Sequence, residues 1–363
     1  MKAAICRSLN SPLSIEDVEL GPPGKDEVRL NVAACSICHS DLSFMRGDWG
    51  RNPPFLLGHE IAGVVETAGQ NVTGLTVGDR VVATLIKSCG HCACCEDNLE
   101  VLCTTPPPAD GGGISTPEDG AIDVLMNTGG FAEQVVVHQR QCIIIPDEMS
   151  FEAASLLGCG VITGYCAATR VGKINPGESV AVAGVGGVGI NAIQAARIAG
   201  AETILAIDAD SSKEALFREM GATGYINPLE GDAIKAVHEA NNGQGLDIVL
   251  VGVGSSRVIE NAIGMIRSGG RVVIMGMPAS DDLATLDLGV LANDAKSLIG
   301  TKMGSAMIRE DIPKLIELYQ QGEIHLDSLI SHRYPFDDIN TAIETALKPG
   351  SSRVVILFDH EGT

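Results

Sequence analysis

The sequence predicts an α/β protein of two domains, one rich in β-strands and one built on a doubly wound parallel sheet. A chain of 363 residues is longer than a single core usually organises. From Met1 to about Ile145, short stretches of alternating apolar and polar residues are separated by turns, which predicts strands. From about Ser179 onward, apolar runs alternate with helical patterns, which predicts a parallel sheet covered by helices.

The first domain is predicted from strand-like stretches such as EVRLNVAAC, IAGVVETAG and DRVVATLI. Turn sequences such as GPPGKD and GQNVTG separate them, which favours a small barrel-like or sandwich-like unit. Near residue 150 the apolar period becomes helical, and Ser150 is expected to cap the first turn of that helix. The Pro- and Gly-rich segment 104–130 is expected to be a loop.

The second domain is predicted from strand and helix pairs: SVAVAG with VGINAIQAARIAG, TILAID with SSKEALFREMGA, and DIVLVGVG with SRVIENAIGMIRSGG. Ser211 and Glu214 have the spacing of a capping box, and Gly200 and Gly221 stand where helices are expected to end. A helix in IREDIPKLIELYQQG and a strand in SRVVILF follow.

Composition excludes several classes of function. The chain has 46 acidic and 25 basic residues, a net charge of −21 and only 3% aromatic residues, which disfavours nucleic acid and anionic membranes as partners. The N-terminus lacks a signal-peptide pattern, and we expect no apolar run to reach the length of a membrane-spanning helix. We therefore expect a soluble, cytoplasmic protein in which the eleven cysteines are reduced, so clustered cysteines indicate metal binding or catalysis.

A glycine-rich turn predicts a dinucleotide site. Gly184, Gly186 and Gly189 form a G-x-G-x-x-G pattern between a predicted strand and a predicted helix. Asp208 lies nineteen residues after Gly189, at the end of the next predicted strand, where a carboxylate binds the adenosine ribose. Such a carboxylate repels a 2′-phosphate, which favours NAD over NADP. The alternative, a packing turn without a ligand, does not explain why strand, helix and acid are in register.

The segment CGHCACCEDNLEVLC predicts a structural zinc site. Its spacing, C-x2-C-x2-C-x7-C, lets four thiolates surround one tetrahedral ion: Cys89, Cys92, Cys95 and Cys103. Zinc with four sulfur ligands has no open position, so its role is to stabilise the loop. The alternative, a set of reduced surface thiols, would leave an easily oxidised cluster. Cys94 exceeds the four ligands and is expected to be a bystander.

A second set of candidate ligands is dispersed along the chain: Cys38, His59 with Glu60 beside it, and Cys159. Two cysteines and one histidine leave the fourth tetrahedral position open, as in a catalytic zinc site. Taken singly, however, a histidine after glycine in an apolar setting, such as His59, is more often a core residue than a ligand, and a cysteine in an apolar helix, such as Cys159, more often serves packing. Spacing alone does not join these residues.

Eight motifs in order resemble the zinc-containing medium-chain alcohol dehydrogenases over essentially the whole chain: CSICHSD, GHEIAGVVETAGQNV, GDRVV, CGHCACC with the trailing Cys103, LLGCGVITGYCA, GVGGVG, AIDADSSK and SSRVVILF. The resemblance implies a GroES-like, β-rich catalytic domain formed by both chain ends, residues 1–160 and 303–363, with a structural-zinc loop at 88–104. It implies an NAD-binding Rossmann domain with a doubly wound parallel sheet at 161–302.

The resemblance also implies site residues. Cys38, His59 and Cys159 would ligate a catalytic zinc, with Glu60 as an occasional ligand. Asp41 would orient the histidine ligand, and Ser40 would receive the proton of the substrate alcohol. Residues that would contact the cofactor are His39, Thr163, Gly184, Gly186, Gly187, Val188, Gly189, Asp208, Lys213 and Arg353.

The activity implied is reversible hydride transfer between an alcohol and its aldehyde or ketone, with NAD and two Zn²⁺ per chain, in a homodimer or homotetramer. Two alternatives stay open: a thiol-dependent formaldehyde dehydrogenase acting on an S-hydroxymethyl conjugate, and a non-catalytic protein that binds zinc and NAD. The chain departs from the family in three places. Ser43 stands where many relatives have a relay histidine, and His39 replaces the arginine of some members. The loop 104–130 differs, so the resemblance implies no pocket-lining residues there.

Overall fold

The protein is described by a computed structural model covering residues 1–359, in two compact units. The first unit comprises Met1–Cys159 together with the segment that begins at Met307, and the second comprises Gly160–Ala306. The boundaries expected from the sequence, after residues 160 and 302, differ from these by one and four residues. The last four residues of the expected 303–363 segment lie outside the described range.

Nineteen strands occur in the described residues. In chain order they are β1 Lys2–Cys6, β2 Ser14–Asp17, β3 Glu19–Leu20, β4 Glu27–Ser36, β5 Phe55–Leu56, β6 Glu60–Ala68, β7 Arg80–Ala83, β8 Ile114–Thr116, β9 Gly120–Val124, β10 Gln134–His138, β11 Cys142–Ile144, β12 Ser179–Ala183, β13 Thr203–Ile207, β14 Gly224–Ile226, β15 Leu246–Val251, β16 Ile266–Ile274, β17 Ser297–Gly300, β18 Ile330–Pro335 and β19 Arg353–Leu357.

Eleven α-helices occur in the same range. They are α1 His39–Arg46, α2 Ala93–Glu96, α3 Phe151–Leu156, α4 Ile162–Cys166, α5 Gly189–Ile198, α6 Glu214–Met220, α7 Ala233–Ala240, α8 Ser256–Met265, α9 Leu288–Asn293, α10 Ile308–Gln320 and α11 Ile339–Ala346. Two π-helical turns, Leu157–Val161 and Ala167–Val171, follow α3 and α4.

The first unit contains two sheets. The larger has the order β11-β7-β6-β4-β19-β18, with β10 also paired to β4, and the smaller has the order β2-β1-β5-β9-β8-β3. Because β18 and β19 come from the last part of the chain, both chain ends build this unit. The segment 104–130, expected to be a loop, contributes strands β8 and β9. Large apolar side chains, among them Phe55, Leu30 and Ile61, are fully buried in the core.

A close approach of two strands depends on Gly63. This residue lies in β6 opposite Val32 of β4, where the register is irregular. A Cβ atom at Gly63 would overlap the backbone carbonyl of Asn31. The absence of a side chain here lets the central strands of the sheet pair.

Gly63→Ala is therefore expected to destabilise the protein by about 1–3 kcal/mol, because the strands must move apart to admit the methyl group. Thermal unfolding measures this. Gly113→Ala is the control, since its added methyl group would meet no atom within 4 Å and Gly113 lies in the same unit. Equal melting temperatures for the two variants would contradict the packing argument.

The second unit contains one six-stranded sheet in the order β14-β13-β12-β15-β16-β17, and every pairing is parallel. Numbered from β12, this is the 3-2-1-4-5-6 order of the doubly wound dinucleotide-binding fold. The predicted fold class is confirmed. Both faces of β12 and β15 are buried, which explains their continuous apolar sequences.

Of three local predictions about helix ends, one is confirmed and two are wrong. The Ser150 hydroxyl caps α3 by accepting from the Ala153 N–H. The capping box at Ser211 and Glu214 does not form, because the Asp210 side chain caps a 3₁₀ turn there and α6 begins only at Glu214. The predicted helix through IRSGG ends at Met265, and these residues open strand β16.

One helical segment corrects an expectation about membranes. Residues Phe151–Val171 form a continuous apolar helix of 21 residues, which is long enough to cross a bilayer. The expectation that no apolar run reaches this length is wrong. However, 83% of its most apolar stretch is buried inside the protein, as in a core helix.

Candidate functional site

Four potential metal ligands converge in the first unit. The ligand atoms of Cys38, His59, Glu60 and Cys159 all lie within 4.8 Å of one another, and all four residues are buried. Pairing of β4 with β6 produces part of this arrangement, because Ser36 is opposite Glu60 at the ends of the two strands. Cys38 lies two residues after the end of β4, and His59 directly precedes β6. The structure thus brings together residues that the sequence could not join by spacing.

The Asp41 carboxylate contacts two backbone N–H groups and one side chain at this cluster. One carboxylate oxygen accepts a hydrogen bond from the Cys38 N–H at 3.0 Å. The other lies 3.1 Å from the Gly58 N–H and 3.1 Å from Nδ1 of His59. Asp41 is fully buried, so its carboxylate is surrounded by protein groups and not by solvent. The geometry fits the orienting role that the resemblance implies for Asp41.

The His59 ring fits a metal ligand. Its Nδ1 atom is paired with Asp41, and its Nε2 atom is buried without a hydrogen-bond partner among residues 1–359. A buried polar atom without a partner is costly unless a ligand satisfies it. Nε2 is therefore the atom available to an ion held between Cys38 and Cys159, and a Cys2His set suits Zn²⁺.

Cys159 reaches the cluster through a π-helical turn. Leu157–Val161 carries this cysteine, and turns of this type are frequent at functional sites. A Cβ atom at Gly158 would lie 3.0 Å from the Ala83 carbonyl oxygen and 3.1 Å from the Glu60 Cα. Gly158 therefore lets the turn approach strands β6 and β7 closely. Sequence reasoning missed Gly158, although the LLGCG motif contains it.

The electrostatics of the cluster favour a thiolate at Cys38. Its pKa is held well below the ordinary value by the hydrogen bond from Cys159, and the neighbouring His59 adds to this effect. Burial opposes charge on His59, but the Asp41 carboxylate and Cys38 more than offset it and raise the pKa of the imidazole. A metal ion binds the thiolate form of cysteine, so Cys38 is disposed to ligate one.

Glu60, a member of the cluster, forms a buried ion pair with Arg353. Burial raises the pKa of Glu60 to about 7, while the Arg353 guanidinium opposes this rise. Arg353 also donates to the Ser36 hydroxyl at 2.8 Å and is 4% exposed. The structure thus places Arg353 against a candidate ligand, and its predicted contact with a cofactor stays a prediction. Sequence reasoning missed Ser36, because no local pattern connects it to Arg353.

The first turn of α1 carries the other residues expected to act on substrate and cofactor. Ser40 is half-buried, and its hydroxyl oxygen lies 3.8 Å from the Cys38 sulfur. His39 is exposed. Ser43, at the position of the relay histidine, accepts a hydrogen bond from Arg46 at 2.9 Å. Ser40 is therefore the hydroxyl placed next to the candidate metal site.

The four cysteines of the loop 88–104 also converge. The ligand atoms of Cys89, Cys92, Cys95 and Cys103 lie within 4.8 Å of one another, and Cys94 is outside this group. Sulfur separations include 3.6 Å from Cys92 to Cys95 and 3.8 Å from Cys92 to Cys103. Four thiols at these separations fit one tetrahedral Zn²⁺.

Hydrogen bonds and burial shift the pKa values of these thiols in opposite directions. The Thr105 hydroxyl donates to Cys89 at 3.3 Å and lowers the pKa of that thiol to about 7. Hydrogen bonding from the Thr104 backbone lowers the pKa of Cys92 to about 5. Burial raises the pKa of Cys95 to about 12. A cation at the centre of the group would favour the thiolate at every position.

In the second unit, the glycine-rich turn joins β12 to α5. Gly184 has φ of +85°, a conformation that favours glycine, and a Cβ atom there would lie 2.8 Å from the Val253 backbone nitrogen. A Cβ atom at Gly189 would overlap the Gly184 carbonyl oxygen. Gly187 and Val188 lie between them. These contacts are those of the tight strand-to-helix turn that binds pyrophosphate.

Asp208 lies at the end of β13 and is hydrogen-bonded to this turn. Its carboxylate accepts from the Val185 N–H at 2.6 Å and from the Asp210 N–H at 2.9 Å. Lys213 lies 3.6 Å from the Asp210 carboxylate. A predicted ribose-binding carboxylate is thus adjacent to the predicted pyrophosphate turn.

Two further polar side chains support this part of the second unit. Asn191 is fully buried and donates to the Gly187 carbonyl at 2.8 Å, a contact that sequence reasoning missed. Thr163, expected near the nicotinamide, donates to the Met303 sulfur at 3.5 Å.

Comparison with known proteins adds independent findings. Residues 24–147 match the family described as alcohol dehydrogenase GroES-like domain, and residues 187–321 match zinc-binding dehydrogenase. An NDMA-dependent alcohol dehydrogenase from Amycolatopsis methanolica is 35% identical, with 98% of each chain covered. Alcohol dehydrogenase 1 from Pisum sativum is 33% identical over 99% of this chain and 97% of its own. The crystal structure of benzyl alcohol dehydrogenase from Acinetobacter calcoaceticus matches with a TM-score of 0.91 and 28% identity, over 99% of each chain.

Proposed function

The chain belongs to the zinc-containing medium-chain alcohol dehydrogenases, oxidoreductases that act on alcohols, and we propose that it transfers hydride reversibly between an alcohol and NAD. The resemblance noted in the sequence is confirmed. The observation that carries the proposal is the convergence of Cys38, His59 and Cys159 within 4.8 Å around an unpartnered imidazole nitrogen. The product would be the corresponding aldehyde or ketone.

In this proposal Cys38, His59 and Cys159 hold a catalytic zinc ion. When bound, zinc supplies a Lewis acid that lowers the pKa of an alcohol and polarises the product carbonyl. Asp41 keeps the His59 ring in the orientation that directs Nε2 into the site. Ser40, whose oxygen lies 3.8 Å from the Cys38 sulfur, accepts the proton of the substrate hydroxyl. Glu60 stays paired with Arg353, adjacent to the ligands.

A second zinc ion is assigned to Cys89, Cys92, Cys95 and Cys103, where it would stabilise the loop 88–104. The loop contains one four-residue helix and one 3₁₀ turn, so it has little secondary structure of its own. Structural zinc contributes folding free energy directly in such segments. The cytoplasmic location and the dimeric or tetrameric assembly stay predictions.

NAD is proposed as the cofactor because Asp208 stands at the end of β13 beside the glycine turn. Asp208→Asn keeps an acceptor for the Val185 N–H but removes the negative charge. We expect the kcat/KM ratio of NADP to NAD to rise by about tenfold or more, which corresponds to roughly 1.4 kcal/mol of relieved repulsion.

Steady-state kinetics with both cofactors measure this ratio. Asp210→Asn removes a neighbouring carboxylate that bonds Ser212 and pairs with Lys213, and it is expected to leave the ratio near the wild-type value. An unchanged ratio in Asp208→Asn would show that this carboxylate does not select the cofactor.

The proposed activity is tested by a screen of primary, branched and secondary alcohols and of S-hydroxymethyl thiol conjugates, with NAD and NADP in parallel. One relative is named as NDMA-dependent, so NDMA is included as a hydride acceptor. NAD reduction by simple alcohols supports the proposal. Turnover of thiol conjugates alone favours the formaldehyde dehydrogenase alternative, and no turnover by zinc-loaded protein favours the non-catalytic one.

A further inference from the structure

We propose that Arg140 provides the counter-charge for the metal-loaded cysteine loop 88–104, with its guanidinium packed against Gly90. Arg140 is then a positioning residue for the structural site, remote in sequence from all four cysteines. The inference depends on the zinc assignment at Cys89, Cys92, Cys95 and Cys103 made under the proposed function.

The guanidinium occupies the space where a side chain at residue 90 would lie. A Cβ atom added to Gly90 would be 2.5 Å from Nη2 of Arg140, 2.8 Å from Cζ and 3.0 Å from Nη1. Gly90 lies between the ligand Cys89 and His91, whose backbone N–H donates to the Cys89 sulfur at 3.5 Å. The cation therefore lies against the part of the loop that contacts the Cys89 sulfur.

The backbone that carries Arg140 is held firmly by hydrogen bonds. Gln141 is 1% exposed, and its side-chain amide donates to the carbonyls of Thr84 at 2.8 Å and Asn127 at 3.0 Å. The Arg140 N–H donates to Nδ1 of His138 at 3.1 Å, and the His138 N–H donates to the Gln141 side chain. This turn is thus fixed to neighbouring segments of the same unit, which directs Arg140 toward the loop.

The charge of Arg140 is not neutralised by a carboxylate. Within residues 1–359, no acidic oxygen lies within ion-pair distance of this guanidinium, and its buried Nε atom has no hydrogen-bond partner. Arg140 is half-buried, and a partly desolvated cation without an anionic partner is unfavourable. A negatively charged group on the other side of Gly90 would supply that partner.

The loop with its metal has the required charge. Four thiolates and one Zn²⁺ carry about two net negative charges. The loop also contains Glu96, Asp97 and Glu100 and has no lysine or arginine between residues 88 and 104. Burial lowers the pKa of the preceding Lys87, and the charges of Glu27 and Asp110 oppose this shift. Arg140 is therefore the cation that the structure brings to this loop from elsewhere in the chain.

The test is the rate at which a chromogenic chelator removes zinc from the purified holoenzyme. The kinetic phase that belongs to the four-cysteine site is the one lost in Cys103→Ser. We expect Arg140→Gln to accelerate this phase by about 10- to 100-fold, the usual effect of removing a group that supports metal ligands. Arg140→Lys, which keeps the charge, is expected to restore most of the wild-type rate.

Arg80→Gln is the matched control. Arg80 lies in the same unit and donates to the carbonyls of Pro146, Asp147 and Met149, none of which belongs to the cysteine loop. Its substitution is expected to lower the melting temperature without changing the rate of zinc release. This separates general destabilisation from an effect on the metal site.

The outcomes distinguish the inference from the zinc assignment. A wild-type protein without zinc at the four cysteines overturns the assignment and the inference together. Wild-type zinc content with an unchanged release rate in Arg140→Gln overturns the role of Arg140 alone. Equal acceleration in Arg140→Lys and Arg140→Gln, or in Arg80→Gln, likewise contradicts a counter-charge.

Discussion

Cys38→Ser is expected to lower kcat for alcohol oxidation by on the order of 10³-fold or more, because one ligand of the catalytic zinc is lost together with the Lewis acid it holds. The fold should survive this change. Cys38 is the N-cap residue of α1, and serine is among the best N-cap residues. Its backbone N–H can still donate to Asp41. Binding of NADH, measured by fluorescence titration, should stay measurable while zinc content falls by one ion per chain.

Cys6→Ser is the control for this experiment. Cys6 is buried in β1 and lies outside both candidate metal groups, so its substitution should keep the zinc content and most of the turnover. Retention of wild-type turnover by Cys38→Ser would contradict the catalytic role of this cysteine. Loss of both zinc and turnover in Cys6→Ser would show that the effect of Cys38→Ser is not specific to a metal ligand.

Cys103→Ser is expected to release the other zinc ion and to lower the melting temperature by roughly 5 °C or more, since each kcal/mol lost costs about 2–4 °C in a chain of this size. The Cys103 sulfur accepts from the Cys89 N–H at 3.2 Å and lies 3.8 Å from Cys92, so the loop loses a metal ligand and a closing contact. The kcat of the protein that stays folded should change little.

Cys94→Ser is the matched control, because Cys94 lies in the same helix as Cys95 but outside the four-cysteine group. Zinc analysis and thermal unfolding compare the two variants. Identical zinc content in Cys103→Ser and Cys94→Ser would contradict the structural assignment, and so would a Cys103→Ser protein that melts at the wild-type temperature.

Much of the fold follows from local patterns in the sequence. Strands β12, β13 and β15 of the parallel sheet are largely apolar runs, as expected where both faces are buried, and the glycine-rich turn at 184–189 leads into a helix. Capping was less predictable. Asp210 accepts from the Ser212 N–H as the cap of a 3₁₀ turn, so Ser211 lies inside that turn instead of capping α6.

The two metal groups differ in how far the sequence determines them. The cysteines between 89 and 103 are close in the chain, so their spacing alone predicts convergence. The other group depends on the pairing that sets Ser36 opposite Glu60 and on the π-helical turn that carries Cys159. No local sequence pattern predicts this strand register or this turn. Only the resemblance to a family therefore predicted that these residues form one site. The contacts of Arg353 and Arg140 are non-local for the same reason.

The most direct test of a zinc-dependent alcohol dehydrogenase is NADH formation from an alcohol panel while metal-depleted protein is titrated with Zn²⁺. The two ligand groups predict that turnover is absent without metal and reaches its plateau by two equivalents per chain. Turnover by the metal-free protein, or none with any alcohol after two equivalents are bound, would contradict the assignment of Cys38, His59 and Cys159 as the catalytic site.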